Sequence, residues 1–144
     1  MVKIFIGDYV SFDHEKQSNE ILPLLECLIY AITPGRPLDY FLKNILANGF
    51  GPTGGDPGWS ISWIEEPSDA LYPDDWQNFM NSHAGASGCF EAWTYQKISM
   101  LDPCYAYYDR HTLISEVQAA LENIKLRHPD RSHEVDKIIK ELCS

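Results

Sequence analysis

The stretch Trp59-Ser60-Ile61-Ser62-Trp63-Ile64 sets Trp59, Ile61 and Trp63 on one side and Ser60, Ser62 and Ile64 on the other. A period of two is that of an extended strand, whose successive side chains point to opposite faces. Downstream, residues 90–95 place Phe90, Ala92 and Thr94 on one face and Glu91, Trp93 and Tyr95 on the other, which predicts a second strand continuing towards Met100. Asp102-Pro103 then marks a break, and residues 104–108 carry the aromatics suited to a third strand. Upstream, residues 51–58 hold four glycines and two prolines and read as a loop. Residues 65–87 read as another, polar loop.

Helical periodicity flanks these strands. Ile21, Leu24, Leu25, Leu28, Ile29 and Ile32 recur at helical spacing over residues 19–32, and Pro23 is tolerated because the first helical amides have no intrahelical partner. After the turn at Thr33-Pro34-Gly35-Arg36-Pro37, Leu38, Phe41, Leu42, Ile45 and Leu46 trace a second stripe that stops at Asn48-Gly49. At the C-terminal end, Leu113, Val117, Ala120, Leu121 and Ile124 share one face of a helix ending near His128-Pro129, and Val135, Ile138, Ile139 and Leu142 repeat the pattern. Two segments, residues 2–6 and 9–12, compete for a short N-terminal strand. The expected fold is therefore α/β of the α+β type: a small, mainly antiparallel sheet with two N-terminal and two C-terminal helices, in one domain spanning residues 1–144.

With 144 residues, 44% of them hydrophobic and 12% aromatic, the chain is long enough for one core and too apolar for a disordered acidic tail. Its most apolar window, residues 21–32, is far shorter than the roughly 20 residues that span a bilayer. The N-terminus turns polar at Gly7 and Asp8 without the apolar run of a secretory signal, so a cytoplasmic location is expected. Cys27, Cys89, Cys104 and Cys143 form no C-x-x-C pair, which points to reduced, incidental thiols.

The charge is unevenly placed. The net charge is -10, yet residues 44–109 carry a single basic group, Lys97, against nine carboxylates. Such a balance repels polyphosphate and favours basic partners. A solvated loop that merely keeps the chain soluble would account for the charge alone. The same segment, however, holds Trp59, Trp63, Tyr72, Trp76, Phe79, Phe90, Trp93, Tyr95, Tyr105, Tyr107 and Tyr108, more rings than one face of a small sheet hides. Exposed Tyr and Trp among carboxylates suit an interface with a basic protein, with rings as anchors and charges steering the encounter.

Enzymatic signatures are weak. Glu65-Glu66 and Asp74-Asp75 are adjacent rather than facing pairs. His14, His83, His111, His128 and His133 show no metal-ligand spacing, and residues 49–55 match neither phosphate-binding glycine pattern. His83-Ala84-Gly85-Ala86-Ser87-Gly88-Cys89 brings Ser and Cys near a His without a nucleophile elbow or an orienting carboxylate, and a hydrolase centred on His83 or His111 needs a pocket of convergent polar groups. No cofactor, no metal site and no enzymatic activity are expected.

The paired N-terminal helices ending in Asn48-Gly49-Phe50-Gly51, the middle strand at residues 59–64, the acidic loop with Asp74-Asp75, the strand opening Phe90-Glu91-Ala92-Trp93 and the C-terminal run Arg127-His128-Pro129-Asp130 together resemble immunity proteins of bacterial contact-dependent growth inhibition systems. The similarity is to the group that neutralises ribonuclease toxins and covers about residues 19–142. Ala92-Trp93 stands where relatives often carry Gly-Val. The resemblance implies an intracellular antidote that binds the C-terminal nuclease domain of a cognate toxin and blocks its active site or substrate groove, touching neither nucleic acid nor membrane.

Since a nuclease needs a basic groove for its polyanion, an acidic patch with aromatic anchors can occupy that groove while offering nothing to cleave. Binding at nanomolar strength, about -12 kcal/mol over roughly 1,600 Å², is expected. Glu65, Glu66, Asp69, Asp74, Asp75 and Asp102 are the expected charge contacts, with Trp76, Tyr105 and Tyr107 as anchors. The alternative is an acidic adaptor that regulates another basic host protein.

Overall fold

The computed structural model describes residues 4–6, 9–13, 16–46 and 53–142. The Asn48-Gly49 helix stop, Phe50, Gly51, His14 and Cys143 lie outside them. The described elements are strands β1 (Ile4–Ile6), β2 (Ser11–Asp13), β3 (Thr53–Gly55), β4 (Trp59–Ile64), β5 (Cys89–Thr94) and β6 (Tyr105–Tyr108). With them come helices α1 (Leu22–Ala31), α2 (Leu42–Leu46), α3 (Pro73–Asn81), α4 (Gln96–Ser99), α5 (Arg110–Arg127) and α6 (Ser132–Leu142).

Strands β3 to β6 form one antiparallel sheet in sequence order, the α+β arrangement that the strand and helix periodicities predict. Its register aligns Trp63 with Phe90 and Tyr108, Ile61 with Ala92 and Ala106, and Trp59 with Thr94. These residues make the inner face. Against it pack α1 and α5, with α6 behind α5. Leu24, Leu28 and the C-cap residue Ile32 descend α1 at every fourth residue, and Leu113, Val117, Leu121 and Ile124 recur at spacings of four, four and three on α5; all seven are fully buried. Each such side chain contributes about 1.5–3 kcal/mol on leaving water. Asp109 caps α5, its Oδ1 accepting the Thr112 amide at 2.7 Å.

Arg131 fastens the two ends of the chain together. It pairs with Glu134 and donates to the Tyr9 hydroxyl at 3.1 Å and to the carbonyls of Pro34 and Arg36, while Glu134 accepts the Leu38 amide at 2.8 Å. The turn at residues 33–37 is thereby held on α6.

Several expectations need correction. Helix α1 begins at Leu22, with Pro23 inside its first turn as its missing N–H allows. The second N-terminal stripe yields only the single turn and a half of α2, because residues 37–41 close by i to i+3 bonds such as Tyr40 N to Pro37 O. The N-terminal competition has no single winner, since Ile4–Ile6 and Ser11–Asp13 pair with each other. Within the glycine-rich loop, Thr53–Gly55 forms edge strand β3; a side chain on Gly54 would lie 2.1 Å from the Trp59 carbonyl.

The strand from residue 90 does not run on to Met100. It stops at Thr94, where the Tyr95 amide turns to Gly58 O at 2.9 Å and the helical turn α4 follows, closed by Met100 in the left-handed conformation. The polar loop at residues 65–87 contains the 3-10 turn Pro67–Asp69 and helix α3. Pro73 opens α3, and Asp74 and Asp75 stand in its first turn, where they complement the helix dipole.

Cys27, Cys89 and Cys104 are free thiols, the first two buried. Cys27 Sγ lies against the carbonyls of Ser60 and Trp93, and burial pushes its pKa up; burial also pushes Cys89 up, to about 12. Among the described residues no helix is long and apolar enough to cross a membrane.

Candidate interaction surface

The outer face of the sheet carries two rows. One runs Ser62, Glu91, Tyr107 and the other Ser60, Trp93, Tyr105, with Ile64 and Cys89 extending the first towards the end of the strands. Residues 65–81 fold back over the first row. Trp76, buried in α3, donates its indole N–H to Ile64 O at 3.2 Å and packs with Ile64, Cys89 and Tyr107 in a second, smaller apolar cluster. Glu91, also buried, accepts the Leu71 amide at 2.9 Å and the Tyr107 hydroxyl at 2.6 Å through one oxygen, Oε2. Burial, then the hydrogen bond to Glu91, raises the Tyr107 pKa.

This covering segment bears the carboxylates. Glu65 accepts the Trp63 indole N–H at 2.9 Å, and Glu65, Glu66, Asp69, Asp74 and Asp75 are all exposed, with the exposed side chain of Leu71 between them. Asp75 Oδ2 accepts a very short hydrogen bond from the Tyr105 hydroxyl, and this bond, ahead of burial, pushes the Tyr105 pKa up to about 12. Tyr72 stacks flat on Tyr105, with ring centroids 3.4 Å apart and planes 9° from parallel. Tyr72, Tyr105 and Trp93 remain half-buried, beyond the cover of α3, and Tyr95 beside Trp93 is exposed.

Of the residues the sequence nominates, five carboxylates thus share one segment, and Asp75 reaches Tyr105 across the fold. Asp102 is exposed in the loop before β6, three residues ahead of Tyr105. Trp76 and Tyr107 are corrected: at 6% and 9% exposure they hold α3 and the loop to the sheet and present no ring to solvent. Tyr72, Trp93 and the clamp Glu91 were not among the nominated residues. Pro73-Asp74-Asp75-Trp76, with Phe79 and Met80 three and four residues after Trp76, is the signal from which α3 could have been read.

Three basic groups of the terminal segments are engaged within those segments. Lys43 pairs with Asp39, Lys125 with Asp136 and Arg131 with Glu134. Among the described residues, Glu66, Asp69, Asp74 and Asp102 form no ion pair with a Lys or Arg. Among the described residues, the negative potential of this side is not neutralised by Lys or Arg.

His83 sits in a cleft of about 280 Å³ with Phe79, Tyr107 and Asp109. Its Nδ1 lies 2.8 Å from Phe79 O and 3.0 Å from the Ser82 hydroxyl, while Nε2 faces Asp109 at 4.0 Å. The Ser82 hydroxyl is also 2.8 Å from the same carbonyl, to which it donates. Among the described residues no three His, Cys, Asp or Glu side chains gather to hold a metal ion. Compared with known proteins, the chain matches no family model, no curated protein and no solved structure at a significant level.

Proposed function

We propose that the chain is a toxin-neutralising immunity protein: it binds a cognate nuclease domain, of the contact-dependent growth inhibition kind, and covers its active site or substrate groove. The reading is carried by one observation. Glu66, Asp69 and Asp74 stand exposed on a segment pinned to the sheet, unpaired by any Lys or Arg among the described residues, beside half-exposed Tyr72, Tyr105 and Trp93. A nuclease groove is the complementary object, since it must be positive along the path of its polyanion. Blockade is steric and electrostatic and needs no catalytic group on this chain. Pinning matters because a surface ordered before binding loses less conformational entropy on association.

Co-expression tests the reading. The reading requires a toxic nuclease domain encoded beside this chain; such a domain, expressed alone, is expected to arrest growth, and expressed with this chain to be harmless and to co-elute with it in gel filtration. Continued arrest with no co-elution overturns the proposal. Capture of a basic host protein from cells lacking any such toxin gene, together with failed protection, would transfer the function to the adaptor reading.

A further inference from the structure

Resting on that reading, we propose that the outer aromatic row, Tyr72, Tyr105 and Trp93 with Asp75 at its rim, receives arginine side chains of the partner in preference to lysine. The row is what α3 leaves uncovered: Trp93 and Tyr105 are cross-strand neighbours on β5 and β6, and Tyr72 lies flat on Tyr105. Asp75 is fixed beside it, with Oδ2 on the Tyr105 hydroxyl and Oδ1 without a hydrogen-bond partner among the described residues.

A flat, weakly hydrated guanidinium stacks on indole and phenol faces and forks onto a carboxylate, whereas an ammonium is a compact, strongly hydrated point charge. A stacked tyrosine pair next to an indole, with a prefixed carboxylate at its rim, therefore discriminates between the two cations, which a simple acidic surface does not. The chain treats its own arginines in this way. Arg36 lies 4.6 Å over Tyr40 and 5.3 Å from the Phe41 centroid, and Arg131 lies 5.6 Å over Tyr9. Among the described residues no cation of the chain stacks on Tyr72, Tyr105 or Trp93. Tyr72 covers one face of Tyr105, and no Lys or Arg among the described residues occupies the rest of the row.

The test uses the full chain and two synthetic peptides, acetyl-(Gly-Arg)4-amide and acetyl-(Gly-Lys)4-amide, titrated by calorimetry and by the indole N–H resonance of Trp93. The arginine peptide is expected to bind about tenfold more tightly and to shift that resonance. Asp75→Asn and Trp93→Leu, each checked for folding by circular dichroism, should bring it to the level of the lysine peptide. Equal affinity for the two peptides overturns the inference, as does an arginine preference that leaves the Trp93 resonance unmoved in the unaltered protein; the latter readout stands even if Trp93→Leu fails to fold. Failure here leaves protection in co-expression untouched, and failed protection with the arginine preference intact removes only the nuclease.

Discussion

Glu91 and Tyr107 face each other across β5 and β6, and the phenol donates to the buried carboxylate at 2.6 Å while the same oxygen takes the Leu71 amide at 2.9 Å. A carboxylate inside an apolar cluster is costly unless its lone pairs are used, and here they are used to fasten a loop. The surface offered to a partner is thus fixed from beneath.

Glu91→Ala removes the oxygen that accepts both bonds, stranding the Leu71 amide and leaving the Tyr107 hydroxyl only the Tyr72 carbonyl at 3.3 Å. A loss of about 2–4 kcal/mol in urea unfolding is expected. Amide exchange should accelerate first at Leu71 and through α3, with α1 and α5 keeping their protection. Uniform acceleration throughout the chain would show that the cover and the core unfold as one unit.

Glu26 presents the opposite case. It is buried on α1, with one oxygen accepting the Tyr30 hydroxyl at 3.0 Å and Oε2 without a partner, and desolvation raises its pKa above the ordinary 4.5. A folded-state pKa above the unfolded one means that ionisation opposes folding: the contribution is most favourable below pH 4.5 and is lost as pH rises through the raised value. Glu26→Met should therefore stabilise the protein by about 1–2 kcal/mol at neutral pH. The gain should shrink as the pH is lowered below 4.5, read from urea midpoints at the two conditions.

Asp109 has the ordinary sign. Its hydrogen bonds to Thr112 hold its pKa below 3.8, so its capping contribution is complete above that value and disappears as pH falls through the lowered folded-state value. Asp109→Ala should cost about 1 kcal/mol at neutral pH. The difference from the unaltered protein should close at strongly acid pH, and a gap constant across the titration would mean that packing, not the cap, is lost.

Gly58 adopts φ of +140°, and a side chain there would meet Tyr95 Cβ at 2.7 Å. Gly58→Ala should destabilise by about 1–3 kcal/mol, measured by thermal unfolding. The loss should be centred on the contact between the β3–β4 turn and Tyr95, where the Gly58 carbonyl accepts the Tyr95 amide.

Charge reversal of Glu66 and Asp74, neither of which has an ion-pair partner among the described residues, should slow association with the proposed nuclease partner about tenfold and flatten its dependence on ionic strength. Stopped-flow rates at two salt concentrations decide it. Unchanged rates and salt response would remove these two residues from the interface.

The strands and terminal helices are legible in the sequence because their burial is periodic: Trp59 and Ile61 at a period of two, Leu113 to Ile124 at the helical one. Helix α3 is less legible, since Trp76 is its one buried residue and the short run Trp76, Phe79, Met80 spans barely a turn among polar neighbours. The exposure of Glu66 and Asp74 follows from their place in a polar connection. The interior positions of Trp76 and Tyr107 do not, because strand alternation assigns a face and is silent about what folds over it. Glu91 hides for that reason too, as its burial is created by Leu71 and Tyr107, twenty and sixteen residues away.

The sheet keeps its two sides apart. Leucines and isoleucines of α1 and α5 hold one side, whereas residues 65–81 rest on the other through a handful of contacts made by Trp76, Glu91 and Asp75. The residues of the outward layer form a cluster of their own, so that layer can be altered while the packing of α1 and α5 on the opposite side is retained.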